Sequence, residues 1–182
     1  METLFLLRNI KRIFNMVKHF IFLSFLLLQS CKKDDTIGII NEPYTGKELR
    51  IDGYFYQRRV GESTSVVVLY RNGVLLNAQA FDKNLTFGEL ETELTSKSRN
   101  DMAKKTRTDW SFFKIQNKSI EYELWEPTLS KKYIFSQYGT ILNDSTFVIT
   151  KMKDRCDKET DRNDTFRFKQ FLAKPDSTNS FL

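Results

Sequence analysis

Histidine is almost absent from this chain of 182 residues: it occurs once, at His19, inside an apolar N-terminal stretch. Residues 31–182 therefore carry no Ser-His-Asp or Cys-His arrangement and no histidine-bearing zinc site. Phosphate-loop, dinucleotide-binding and HExxH sequences are missing as well. We expect a protein that is not an enzyme and that holds neither a cofactor nor a metal.

Cysteine, proline and glycine are scarce, at two, three and seven residues. So few prolines and glycines exclude a collagen-like chain or a long Pro/Gly linker. If Cys31 is modified, as argued below, Cys156 has no intramolecular disulfide partner. Charged residues surround Cys156, so we predict an accessible thiol, and without a nearby histidine base we expect no catalytic role for it.

The net charge of +6 does not indicate nucleic-acid binding. Residues 1–30 contain four basic residues and one acidic residue, so half of the excess lies in a segment that we expect to be removed. The remainder shows no long basic stripe, with its densest basic stretch at 97–107. We expect no nucleic-acid partner.

The N-terminus has the layout of a secretory signal peptide. Residues 20–28 are apolar apart from Ser24, and basic residues precede them. A bilayer core needs about 20 apolar residues, whereas a signal-peptide core has about 7–15. The sequence predicts a signal peptide over residues 1–30, and a compact version that starts at Met16 leaves two possible starts, Met1 and Met16.

The segment Leu28-Gln29-Ser30-Cys31 resembles the lipobox of bacterial lipoproteins, although Gln29 departs from the commonest small residue at its position. The resemblance implies that a peptidase cuts before Cys31 and that the Cys31 thiol carries diacylglycerol. Several acyl chains on one residue satisfy the requirement of two signals for stable membrane anchoring. The alternative is a signal peptide that ends near a structural cysteine.

Three residues after Cys31, namely Lys33, Asp34 and Asp35, resemble the surface-export signal of Bacteroidota lipoproteins. This resemblance implies a lipid-anchored protein of the outer membrane, displayed on the cell surface. A solvated charged tether, with the protein retained on the periplasmic side, is the alternative.

The rest of the chain predicts a β-rich domain over residues 48–173, between the lipidated cysteine with its flexible tether (31–47) and a polar tail (174–182). Apolar and aromatic runs predict strands near 49–56, 66–70, 74–76, 110–115, 120–125, 133–138, 146–152 and 165–171. Asn72-Gly73 between two such runs predicts a hairpin. Gly139 and Asn143-Asp144 predict turns.

Thr86 and Glu89 have the spacing of a capping box, which predicts a short helix over 87–96. Residues 95–109 are polar and aperiodic, so we predict a long loop there. Seven or eight short strands with one short helix predict a mainly β fold, in which an antiparallel sheet closes, or nearly closes, into a small barrel. This pattern resembles a lipocalin-like barrel at the level of fold class.

Aromatic residues in the strands are the candidate binding groups, because sugar rings and lipids stack on such faces. The residues singled out are Trp110, Trp125, Tyr54 and Tyr56. The alternative is that they build the core, as aromatic strand residues commonly do. Glu121 and Glu123 alternate with apolar residues, so with Glu126 they predict a solvated face rather than a catalytic carboxylate pair.

Three hypotheses follow, in order of preference. The first is a lipid-anchored, surface-exposed envelope lipoprotein with a β-rich binding or interaction domain. The second is a lipocalin-like carrier of a small apolar ligand or glycan, which a cavity reached past Trp110 or Trp125 favours. The third is a carboxylate-based envelope hydrolase.

Overall fold

The structure, a computed structural model, describes residues 37–58, 61–127, 132–154, 156–178 and 182. The residues implied in lipidation and export, Cys31, Lys33, Asp34 and Asp35, lie outside the described residues, and so does the signal peptide predicted over 1–30.

Eight antiparallel strands form a closed barrel in which each strand pairs with the next along the chain and the last pairs with the first. The predicted antiparallel barrel is confirmed. The strands are β1 (Gly53–Arg58), β2 (Thr64–Leu69), β3 (Val74–Phe81), β4 (Trp110–Gln116), β5 (Ser119–Pro127), β6 (Lys132–Asn143), β7 (Thr146–Lys153) and β8 (Glu159–Gln170).

Two helices, rather than the one predicted, connect β3 to β4. The first, α1 (Phe87–Leu94), begins with the predicted capping box: Thr86 N donates to Glu89 Oε2 at 2.8 Å and Glu89 N donates to Thr86 Oγ1 at 3.3 Å. The second, α2 (Lys97–Thr106), occupies the predicted loop. It buries only Ala103. Its sequence therefore lacks the regularly spaced apolar residues from which an amphipathic helix is predicted.

The turns follow the sequence in two places and depart from it in one. Gly73 adopts a φ of 81° in the predicted β2–β3 hairpin, and β6 and β7 turn at the predicted Asn143-Asp144. Gly139, by contrast, lies inside β6, opposite Ile120 on β5 and Ile149 on β7. The predicted turn at Gly139 is wrong. The absence of a side chain at this position instead allows β6 to pack closely against its neighbours.

Alternation along the strands divides the apolar residues into two clusters. Inward-facing residues, such as Phe55 on β1 and Leu75 on β3, pack inside the barrel, and their sequence neighbours Tyr54 and Leu76 face outward. Both faces of β1–β3 are apolar because α1 and α2 cover the outer face. The outer cluster comprises Tyr54, Val66, Val68, Tyr70, Val74, Leu76, Ala78, Phe81, Leu90, Leu94, Ala103 and Trp110.

Tyr44 packs against one end of the barrel interior. Its ring lies edge-on to Phe113, with centroids 5.7 Å apart, and its hydroxyl accepts a hydrogen bond from Leu49 N at 2.9 Å. Its backbone N donates to Arg71 O in the β2–β3 turn. Part of the segment interpreted as a flexible tether therefore belongs to the barrel and fills the end at which the β2–β3, β4–β5 and β6–β7 turns lie.

The C-terminal segment crosses the outer cluster. Tyr70 Oη donates to Pro175 O at 2.8 Å, and the half-buried Lys174 Nζ donates to the carbonyls of Ile51 and Leu69. Residues of the predicted tail thus complete the cover over the outer face that α1 and α2 begin.

We predict that Gly139→Ala lowers the free energy of unfolding. A Cβ at this position would lie 2.5 Å from Val148 O and 2.9 Å from Ile149 Cδ1, so β6 and β7 must move apart. Overpacking of this kind costs about 1–3 kcal/mol. Urea denaturation of the two proteins measures the difference.

The matched control is Gly88→Ala on α1, where nothing lies within 4 Å of the added Cβ. Alanine favours a helix over glycine by about 0.5–1 kcal/mol, so this variant should be as stable as the wild type or slightly more stable. Equal stability of Gly139→Ala and the control would contradict the close approach of the two strands.

Candidate functional site

A cavity of about 550 Å³ occupies the half of the barrel farther from Tyr44. It lies near the β1–β2, β3–β4 and β7–β8 connections, and it reaches solvent where the exposed residues Glu62, Ser63 and Gln79 line it. The other lining residues are Gln57, Ser65, Asn77, Asp109, Tyr122, Leu124, Trp125, Phe135, Gln137, Met152, Arg162, Asp164 and Phe166.

The cavity exists because the inward-facing residues become polar toward this end of the barrel. On β3, inward-facing Leu75 is followed two residues later by Asn77 and then by Gln79. On β1, Phe55 is followed by Gln57, which pairs with Ser65 of β2. Small or flexible polar side chains replace the large apolar ones that fill the opposite half, so they leave a space with a mixed lining.

Two charged residues of β8 contact neighbouring cavity residues. Gln57 Nε2 donates to Asp164 Oδ1 at 3.0 Å, and Arg162 Nη2 approaches the Met152 sulfur at 3.5 Å. These contacts hold the charged side chains against the wall at one side of the cavity. Its apolar surface is formed by Tyr122, Leu124, Trp125, Phe135 and Phe166.

Several other polar side chains of the cavity have no hydrogen-bond partner among the described residues. Among the described residues, none donates to or accepts from the side chains of Ser63, Ser65, Asn77, Gln79 or Gln137. Asn77 is only 4% exposed. Because no described protein group pairs with them, these side chains are available to hydrogen-bond a molecule that enters the cavity.

Asp109 enters the cavity wall from the connection between α2 and β4. The helix ends at Arg107 in a left-handed conformation, and Asp109 also has a positive φ, of 66°. Its carbonyl accepts a hydrogen bond of 2.6 Å from Asn77 N, which fixes the connection to β3. Burial raises the pKa of the Asp109 carboxyl, and the Arg99 guanidinium partly opposes this shift.

Of the four aromatic residues singled out by the sequence, Trp125 lines the cavity and three do not. Tyr54 and Trp110 are fully buried in the outer cluster, and Tyr56 packs against it. Tyr54 Oη donates to Glu91 on α1, at 3.1 Å. The expectation that Tyr54, Tyr56 and Trp110 face a binding pocket is therefore corrected, because their strand positions point outward toward the helices.

Trp110 and Trp125 differ in their surroundings. Trp110 lies against Tyr70, with ring centroids 6.0 Å apart, and Lys104 Nζ lies 5.2 Å from its centroid. Trp125 is half-buried and lines the cavity. The indole Nε1 atoms of both tryptophans are buried donors without a hydrogen-bond partner in the described structure. Trp125 thus adds an aromatic residue to the lining of the cavity.

Glu121 and Glu123, which the sequence predicts on a solvated face, do not line the cavity. Glu121 and Glu123 alternate with the inward-facing Tyr122 and Leu124, and Glu123 Oε2 accepts a hydrogen bond from Ile39 N at 3.1 Å. Glu123 therefore holds part of the N-terminal segment against β5. The side chain of Glu126 lies outside the described part of the structure.

Comparisons with protein-family models, with curated proteins and with solved structures found no match to this chain. Within the described ranges, no cluster of three or more potential metal ligands occurs. No helix among the described residues is long and apolar enough to cross a membrane.

We predict that Asp109→Asn changes how stability depends on pH. The folded pKa of Asp109 is raised above its ordinary value of 3.8, so the unfolded chain loses this proton first as the pH rises. Stability should fall from about pH 4 up to the folded pKa and stay lower above it. Asparagine removes this loss and tolerates the positive φ.

The free energy of unfolding of Asp109→Asn, minus that of the wild type, should therefore grow as the pH rises from about 4, until the pH has passed the raised folded pKa. Denaturant titrations at several pH values measure it, with Asp161→Asn on exposed β8 as the control. A difference that stays constant over this range for Asp109→Asn would show that its carboxyl is not desolvated.

Proposed function

We propose that this protein is a lipid-anchored envelope lipoprotein whose barrel binds a small molecule. The observation that carries the binding function is the cavity of about 550 Å³ inside the barrel. Small-molecule sites are typically concave, with volumes of about 300–1,000 Å³. A filled barrel would instead have favoured a surface that acts by protein–protein contact alone.

The barrel topology supports a carrier of the lipocalin-like kind. An eight-stranded barrel is just wide enough either to be filled by side chains or to hold one small ligand. Here one half is filled, with Tyr44 packed at its end, and the other half is hollow and reaches solvent. One filled end and one accessible end suit reversible binding.

The envelope location is supported by the sequence alone. Leu28 to Cys31 resembles a lipobox, and Lys33, Asp34 and Asp35 resemble a surface-export signal. The described chain first contacts the barrel where Gly38 and Ile39 donate to Glu123. The seven residues from Cys31 to Gly38 span at most about 25 Å, so an anchored barrel stays close to the membrane surface.

We predict that Cys31→Ala abolishes lipid labelling and membrane association in cells. The acyl chains on the thiol and the freed amine supply the membrane affinity, and alanine carries no acceptor thiol. Metabolic labelling with an alkyne fatty acid, followed by fractionation, measures both properties. Cys156→Ala, at the exposed second cysteine, is the control and should label normally.

Protease shaving of intact cells separates the anchor from the surface claim. The wild type should be lipid-labelled and cleaved by protease added to intact cells. A variant with Lys33, Asp34 and Asp35 replaced by alanine should be lipid-labelled but resist cleavage. Normal labelling and membrane retention of Cys31→Ala would contradict the anchor, whereas a labelled wild type that resists shaving contradicts only surface display.

We predict that Ser65→Phe prevents ligand binding without unfolding the barrel. Ser65 faces the cavity from β2, so a phenylalanine there occupies part of the space. Full-length protein purified in lipid nanodiscs is denatured, and the released small molecules are identified by mass spectrometry. The wild type should release one or a few species that Ser65→Phe lacks.

The control is Ser98→Phe, which adds the same group at an exposed position on α2. It should release the same species as the wild type. If all three proteins release nothing, or if Ser65→Phe retains the wild-type occupancy, the cavity is not a binding site.

A further inference from the structure

The unpartnered polar groups of the cavity indicate the chemistry of its ligand. Ser63, Ser65, Asn77, Gln79 and Gln137 each carry a hydroxyl or amide that both donates and accepts hydrogen bonds. Within the described structure these side chains bind no other protein group. A matching ligand presents several groups that also both donate and accept.

An acyl chain does not fit this lining. Covering these amides and hydroxyls with hydrocarbon leaves each without a hydrogen-bond partner, which disfavours such a ligand. Asn77, which is 4% exposed, would lose access to water entirely. The polar wall therefore selects against fatty acids and other purely apolar ligands.

A strongly charged ligand is disfavoured because the charged residues already have neighbours within the wall. Asp164 accepts a hydrogen bond from Gln57, and Glu62 also has a partner. The Arg162 guanidinium contacts the Met152 sulfur. Asp109 is the remaining carboxyl, and its raised pKa reflects a site that disfavours charge. The groups left for recognition are predominantly neutral.

The aromatic side of the cavity completes the pattern. Trp125, Phe135 and Phe166 line it beside the polar wall. Flat apolar rings next to amides and hydroxyls complement a molecule with one C–H face and an edge of hydroxyl groups. Saccharide rings have this construction.

We propose that the cavity binds a neutral saccharide of about one or two rings, the size that its volume accommodates. This inference rests on the proposed small-molecule binding function and names its ligand class. Asn77, Gln137 and Ser65 hydrogen-bond the hydroxyls, Asp109 accepts from one of them, and Trp125 contacts the ring face.

The test is calorimetric titration of full-length protein in nanodiscs. The saccharide probes are glucose, galactose, mannose, N-acetylglucosamine, maltose, cellobiose and lactose; decanoate and tryptamine represent acyl chains and organic cations. We expect saturable binding of at least one saccharide and none of decanoate or tryptamine. Ser65→Phe should abolish the saccharide binding.

Two further variants test the assigned contacts. Asn77→Leu and Gln137→Met keep similar volume but remove the amide, and each should weaken saccharide binding about tenfold, as loss of one well-made hydrogen bond does. Gln116→Met, at the exposed end of β4, is the matched control and should bind normally. Unchanged urea midpoints establish that the variants are folded.

The outcomes separate the two proposals. Binding of decanoate or tryptamine that Ser65→Phe blocks, without saccharide binding, overturns the saccharide assignment and leaves the carrier function standing. Absence of binding for every probe overturns the saccharide assignment, and with no small molecule released from purified protein it overturns the carrier function too. Saccharide binding that survives Asn77→Leu, Gln137→Met and Ser65→Phe places the site elsewhere and contradicts this inference.

Discussion

The ladder between the first and last strands is the constraint on which the rest of the structure depends. Four residues of β1 pair with four of β8, from Gly53 opposite Gln170 to Tyr56 opposite Arg167. This pairing leaves the sheet without an open edge and gives every strand an inner and an outer face. Because the side chains alternate, the same ladder places Phe55 inside the barrel and Tyr54 under α1.

Closure also gives the barrel an interior of limited width. The inward-facing residues differ between its two ends. Toward Tyr44, large apolar residues such as Phe113 and Phe147 fill the space and supply the hydrophobic contribution to folding. Toward the other end, Gln57 and Asn77 take the corresponding inward positions and leave a cavity. A stabilising core and a binding space thus occupy one barrel without competing for the same residues.

Features encoded by a few neighbouring residues could be predicted from the sequence. The Asn72-Gly73 hairpin and the Thr86–Glu89 capping box are local, and both are present. The α2 helix could not be predicted from periodicity, because it buries only Ala103 and forms from good helix formers such as lysine and methionine. The sequence predicts a turn at Gly139, because a close contact between two distant strands leaves no local signal.

The cavity could not be predicted from the sequence for a related reason. A polar residue at every second strand position looks the same whether it faces solvent or a hollow interior, so Asn77 and Gln137 carried no separate signal. Closing the barrel decides between these cases, since it shows which alternate positions lie on the inside. The same decision moved Trp110 and Tyr54 to the outer cluster.

The two tryptophans allow the most direct test of the accessible cavity. In Trp110→Phe the only remaining indole is Trp125, and in Trp125→Phe it is the fully buried Trp110. Acrylamide quenching of fluorescence should be strong in the first variant, because the quencher enters the cavity, and weak in the second. Equal quenching of both indoles, or stronger quenching of Trp110, would contradict a barrel that is hollow at this end and packed on its outer face.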